Sequence, residues 1–254
     1  MALNQGTEDV EAIVDEKTDT DTTKNPKRTT LSNVNSLSVT ASDSSGKTAV
    51  AGGVQAAGTA AVGGAIAYNE IGSWKAGTDH TAASDRRQQL NAELNHADIT
   101  TTGTAVTIDV KANDTATIGT AAAGAGSTGK VAVEGAASTA LIGRQTRAAM
   151  TDTNLDATVV GQASTLTVSA TNGGKIKNTA LVLGGSGIAS AGAGTAVVND
   201  SSDAAAWISG GTLNIGNLSL AALSSNDIMT IGAGGAASTA TGIAGSVGVN
   251  VLTG

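Results

Sequence analysis

Few residues in this chain are spaced for chemistry, and each such group makes a specific structural demand. Gly124 to Lys130 reads GAGSTGK. It satisfies G-x-G-x-x-G and comes close to the phosphate loop G-x-x-x-x-G-K-[ST], whose turn aims N–H groups at phosphate from a helix N-terminus. Val131 stands where that loop needs a magnesium-binding hydroxyl, and VAVEGAAS then alternates as a strand does. The expectation is a Gly-rich coil and no nucleotide cofactor. Ser45-Gly46-Lys47-Thr48 fails as well, because residue 41 is Ala. His80 and His96 are isolated and the chain has no Cys, so no metal site is expected. Gly184-Gly185-Ser186-Gly187 continues with Ile188-Ala189, without the Asp of a calcium nonapeptide. A serine nucleophile finds no G-x-S-x-G elbow.

Arg144, Arg147, Asp152 and Asp156 form the one cluster suited to acid–base work on a polysaccharide, since paired carboxylates can serve as acid and base. No other repeat supplies matching charges. Sugar platforms are scarce in a chain with no Phe, one Tyr and two Trp. The expectation is a solvated strand face, no catalytic residues and no enzyme, with a β-helical polysaccharide lyase or hydrolase as the alternative. Thr-x-Thr rows at fixed register, needed for ice binding, are missing.

The elements that must position these residues are repeats. Leu37-Ser-Val-Thr-Ala41, Val106-Thr-Ile-Asp-Val110, Leu166-Thr-Val-Ser-Ala170 and Leu218-Ser-Leu-Ala-Ala222 each alternate at period two. A turn-like tract follows each, then a Gly/Ala tract with a Gly pair at Gly52-Gly53, Gly184-Gly185 and Gly234-Gly235; Gly124 stands in for the pair in the second copy. The tracts end at Tyr68-Asn69, Val198-Asn199 and Val249-Asn250, read as coil corners. A third landmark aligns Ala92, Ala148 and Ala206, then Leu94, Met150 and Ile208, then Ile99, Leu155 and Leu213. Asp85 to Asn95 looks locally helical, but the repeat alignment places it on a strand. Four imperfect repeats result, near 37–99, 106–155, 166–213 and 218–254, with a loop insertion at 72–86.

Composition agrees with a repeat array. Aromatic side chains, each burying on the order of 150–250 Å², normally fill a globular core. Here Ala, Val, Ile, Leu and Thr must do so with backbones close together, which a solenoid allows because each layer packs only on its neighbours. At about 20 residues per coil and ~4.8 Å rise, the repeats would make a rod of roughly 50 Å. Residues 1–30 are charged, hold the only Pro and read as a flexible polar lead-in. The net charge of -7 argues against a nucleic-acid partner. No apolar stretch is long enough for membrane insertion, and the start lacks a signal peptide, so the chain is either cytoplasmic or part of a larger exported protein.

The order LTVSA…GG…VVN…A…I resembles the passenger repeats of large type V secreted bacterial surface proteins: autotransporters, haemagglutinin-like adhesins and, in particular, fusobacterial leukotoxin-like repeats. The resemblance runs from Leu31 to the end and departs at 72–86 and around Gly124. It implies an all-β right-handed parallel β-helix, displayed at the cell surface or released, as an internal fragment of a longer passenger. The function it implies is structural and adhesive, with a host or bacterial cell-surface glycan or protein as partner. Residues that break the repeat are then the ligand-facing candidates: Trp74, Lys75, His80 and Arg86. A trimeric coiled adhesin head is a third reading.

Overall fold

The computed structural model describes residues 1–6, 9–15, 28–72, 87–101, 105–157 and 163–252. Its elements are strands arranged in four successive coils of five. The first coil holds β2 (Val10–Val14), β3 (Thr29–Val34), β4 (Ser36–Asp43), β5 (Gly46–Ala57) and β6 (Ala60–Ile71). The second holds β7 (Gln88–Asn95), β8 (Ala97–Thr101), β9 (Ala105–Asp114), β10 (Thr117–Thr128) and β11 (Val131–Ile142). The third holds β12 (Arg144–Thr151), β13 (Asn154–Asp156), β14 (Ala163–Asn172), β15 (Lys175–Ser186) and β16 (Ala189–Asp200). The fourth holds β17 (Asp203–Ser209), β18 (Leu213–Asn214), β19 (Asn217–Ser224), β20 (Asp227–Ser238) and β21 (Thr241–Leu252). β1 (Ala2–Gly6) lies against β6.

Equivalent strands of successive coils pair in parallel, giving five stacked sheets and the expected right-handed parallel β-helix. Alternation explains the stacking. Leu37, Ile108, Leu166 and Leu218 lie in one row, and Val39, Val110, Val168 and Leu220 in the row two residues on. The β7/β12/β17 and β8/β13/β18 sheets align Ala92–Ala148–Ala206, Leu94–Met150–Ile208 and Ile99–Leu155–Leu213 as the repeat landmarks do. Gln88–Asn95 is therefore strand, not helix. With the β4/β9/β14/β19 sheet these form a three-sided body around one aliphatic core, including Leu94, Ile108, Val110, Met150 and Leu166.

The other two sheets leave the body as an arm. β5, β10, β15 and β20 run outward, the chain reverses, and β6, β11, β16 and β21 return beside them, all eight of 12 residues. At ~3.3 Å per residue the arm is about 40 Å long.

Four expectations are corrected. One repeat is one coil, since Thr117 pairs with Gly46 on one side and Lys175 on the other. The stack is therefore about 20 Å high at the usual ~4.8 Å strand spacing, not 50 Å. Val106 sits one pleat before its assigned row, which Ile108 fills. The segment read as a lead-in contributes β1 and β2: Val10, Ala12 and Val14 pack on the core through their pairing with β7. Asn69 and Asn250 are not corners. They lie within the strands, two residues before the last, in one row with Ala140 and Val198, whereas Asn199 pairs with Leu141 and Val251 and points the other way.

Corners have local causes. Asp43, Asp114 and Asp200 each accept the N–H two residues on, at 2.8, 2.9 and 3.0 Å, closing Asx turns between sheets. His96, Asp152 and Gly210 turn from the β7/β12/β17 sheet to the β8/β13/β18 sheet with φ of 48°, 45° and 70°.

Candidate functional site

The arm is built inside out. Its inner layer is mainly Ala, Gly, Ser and Thr: Ala51, Ala65, Ala122, Ala136, Ala180 and Ala196 are buried against one another. Ile71, Ile118, Ile142 and Ile176 close it only at the base. A Cβ built on Gly53 or Gly124 would lie 2.9 Å from a carbonyl oxygen of the facing sheet, Gly64 O or Gly135 O. The two sheets therefore approach to backbone contact. Inner asparagines tie them: Asn69 Nδ2 donates to Lys47 O and Gly119 O at 3.1 and 3.2 Å, and Asn178 Nδ2 to Val197 O at 2.6 Å.

The bulky aliphatic residues point out. On the β5/β10/β15/β20 face, Val50, Val54, Leu181, Leu183 and Ile231 are exposed, Val54 to 85%. On the β6/β11/β16/β21 face, Val62, Ile66, Val133, Ile243 and Val247 are exposed, Val62 to 73%. Outward positions from Val50 to Ala56 and their partners in the other coils carry no charge; Lys175, Lys177 and Asp227 stand nearer the body. The first face is ridged, with a depression of about 280 Å³ at Gly52, Val54, Ala123, Ala125, Leu181 and Leu183. A second, of about 600 Å³, continues toward Gly185 and Gly235.

Titratable groups serve the scaffold. At the neck between body and arm, Arg144 is fully buried; its Nη1 donates to Asp114 Oδ1 at 2.7 Å and its Nη2 to Asn226 Oδ1 at 2.9 Å. Burial pushes the Asp114 carboxyl above its ordinary range, opposed by Arg144 and the Ala116 N–H, with Asp43 adding to the rise. Tyr68 donates to Glu70 at 2.8 Å; desolvation and that neighbour push its hydroxyl up to about 12. On the outer β8/β13/β18 face, hydrogen bonds from Arg28 and Asn154 hold Asp98 below the usual carboxylate range. That face carries a shallow groove of about 310 Å³. Asp98–Asn154 (2.7 Å), Asn154–Thr212 (3.0 Å) and Asp156–Asn214 (3.0 Å) bonds pair its side chains along the stack.

The four residues of the acid–base cluster do not converge. Arg144 faces the neck and Arg147 the outer side of β12, Asp152 occupies a corner beside His96, and Asp156 lies on the outer face of β13. GAGSTGK runs along β10 into the arm tip, and strand β11 follows in place of a helix. Trp74, Lys75, His80 and Arg86 lie outside the described residues. Their segment stands between β6 and β7, where the next coil needs only Gly143. Among the described residues, no group of three His, Cys, Asp or Glu could hold a metal ion, and no helix is long and apolar enough to cross a membrane.

The arm faces escaped sequence reasoning. Their only signal was the run of Val, Leu and Ile within the Gly/Ala tracts. No family model, curated protein or solved structure matches the chain.

Proposed function

We propose that the chain is a structural and adhesive module of a bacterial surface protein, in which the body is a shaft and the arm a contact blade. The carrying observation is the arm's inversion: small residues inside, exposed Val, Leu and Ile on both outer faces. Contiguous apolar surface of more than a few hundred Å² marks an interaction site on a soluble protein. Each arm face, about 40 Å by four or five strands at ~4.8 Å, exceeds that. Exposed aliphatic surface without Phe or Trp platforms suits a protein partner on a host or bacterial cell better than a glycan. The repeat pattern's resemblance to type V secreted passengers supports export and surface display.

Attachment of beads carrying the 254-residue chain to host and bacterial cells tests the reading. Leu183→Asp and Val133→Asp, one per arm face, should each reduce attachment if that face makes the contact. Trp74→Ala combined with Lys75→Ala, His80→Ala and Arg86→Ala measures the inserted segment's share. A parent chain that attaches to no cell type ends the adhesive reading. Full attachment by a variant with both Asp substitutions removes the blade from it.

A further inference from the structure

We infer that the β5/β10/β15/β20 face of the arm is a homodimer interface, in which two copies pack face to face about a two-fold axis parallel to the strands. The inference rests on the reading of the arm as a contact surface and names its partner: a second copy of this chain.

The relief of the face carries it. In the Val54 row side-chain size alternates with the coils, and in the row before it Leu181 alone stands above small neighbours. Val54, Ala125, Leu183 and Gly235 lie in register, as do Gly52, Ala123, Leu181 and Ala233. The first coil raises a ridge at Val54, the second is a furrow of Ala123 and Ala125, the third a ridge of Leu181 and Leu183, and the fourth a furrow of Ala233 and Gly235. The smaller depression on this face is the second-coil furrow between Val54 and Leu181–Leu183, and the larger one crosses all four coils toward the tip.

A two-fold axis in the interface and parallel to the strands reverses the order of coils while keeping each residue's height along the arm. The first coil then meets the fourth of the other copy, and the second meets the third. Val54 enters the furrow at Gly235, and Leu181 and Leu183 enter those at Ala123 and Ala125. Each contact is made twice, as an isologous interface requires. An axis across the strands would set Leu183 against Leu183, ridge on ridge. Toward the tip Ala56, Ser127, Gly185 and Ala237 are small enough for the sheets to stay close. Toward the body Val50 would oppose Ile231, so the contact is tightest over the outer half.

The size reaches what a specific interface needs. From the Val50 row to the tip, four strands of eight residues present about 500 Å² of geometric face, so two faces enclose roughly 1,000 Å², at the ~1,000 Å² lower bound for a specific interface. No charge from the Val50 row to the tip would be buried by the contact.

Sedimentation equilibrium of the 254-residue chain decides the matter. The parent should be a concentration-dependent dimer at micromolar levels. Leu181→Lys, an outward position that no core residue needs, should raise the dimer dissociation constant about 30-fold or more, the loss typical of a central interface residue. Val133→Lys, equally outward on the opposite arm face, should leave it unchanged. Ala123→Leu fills the furrow and should weaken the dimer without adding charge. A parent that stays monomeric to about 100 μM, or a dimer lost with Val133→Lys and kept with Leu181→Lys, overturns the interface. Flotation of a monomeric parent with phosphatidylcholine vesicles would assign the face to lipid and equally overturn it. A monomer that still attaches to cells would end the dimer and leave the adhesive reading standing.

Discussion

Glu134 gives the sharpest test of the arm's packing. Its side chain is only 3% exposed in the inner layer, and neither carboxylate oxygen has a hydrogen-bond partner. Glycine flanks it in both neighbouring coils, Gly63 and Gly192. The side chain fills the space they leave: a Cβ at Gly63 or at Gly126 of the facing sheet would collide with its carboxylate. Desolvation pushes the carboxyl above the ordinary Glu range. The folded state thus binds the proton more tightly than the unfolded chain. The associated stability is fully present below the unfolded value of about 4.3 and is lost as pH rises through the higher folded value. Glu134→Met keeps length and approximate volume and removes the charge. An unpartnered buried polar group costs about 1–3 kcal/mol, and a volume-conserving swap less than ~1.5 kcal/mol. The net expectation is about 1–2 kcal/mol of local stabilisation at pH 8, and a smaller gain at pH 4, where the carboxyl carries its proton. In a stacked array the arm opens locally, so hydrogen exchange of β10 and β11 amides is the suitable assay. Parent and variant compared at one pH share intrinsic exchange rates, and protection should rise about 5- to 30-fold at pH 8. Equal protection at pH 8, or a gain of the same size at pH 4, would refute the argument.

Other perturbations separate the forces in the fold. Gly53→Ala should destabilise the arm by about 1–3 kcal/mol in urea unfolding, because its Cβ meets Gly64 O at 2.9 Å, whereas adjacent Gly52→Ala, with nothing within 4 Å, should be neutral. Arg144→Met should cost about 3–5 kcal/mol by leaving Asp114 buried and unpaired; adding Asp114→Leu should recover much of that loss, read from the same unfolding curves. Gly210→Ala should cost about 1–3 kcal/mol, since φ is 70° and the new Cβ would strike the Asp152 carboxylate; a lower midpoint on heating checks it.

The body was legible in the sequence and the arm was not, for one physical reason. Body strands bury one face, so Leu166, Val168 and Ala170 contrast with Thr167 and Ser169 at period two, and the landmarks aligned Ala92 with Ala148 and Leu94 with Met150 in the observed register. Arm strands are apolar on both faces. In Ala189–Asp200 the alternation separates Ala from Gly or Val, a contrast too small to show which side is inside. That weakness let Asn199 be aligned with Asn69 and Asn250 one residue out of register, which in a strand means the opposite face. A repeat period gives the length after which the chain returns to an equivalent place, not the number of turns taken on the way. The 58-residue offset from Thr117 to Lys175 was consistent with several short coils or one long coil, and the ladders show one. The Arg144–Asp114 pair, 30 residues apart, had no local signal because wrapping a long coil back on itself creates the contact.

The division between body and arm also fixes where stabilisation is available. In the second and third coils of the body, Leu90, Leu94, Ile108 and Leu166 are at most 2% exposed, so transfer of these large side chains from water is complete, whereas Leu218 and Leu220 of the fourth coil stay half exposed. In the arm the inner layer buries chiefly methyl groups. Burial contributes roughly 25 cal/mol per Å² of apolar area, so an Ala/Gly layer gains far less per residue than the body core. Backbone ladders and inner Asn bonds hold the arm's geometry, but they add little net free energy over bonds to water. Large apolar side chains therefore remain in water on the arm's outer faces, where Val54, Leu183, Val62 and Ile243 stand in solvent. Outward Asp at Leu183 should for that reason leave the isolated monomer's stability nearly unchanged while weakening any complex that covers the face. A substitution on the inner side at Ala180, three residues away and fully buried, should do the reverse. Unfolding midpoints and dimer dissociation constants measured on Leu183→Asp and Ala180→Val separate the two roles.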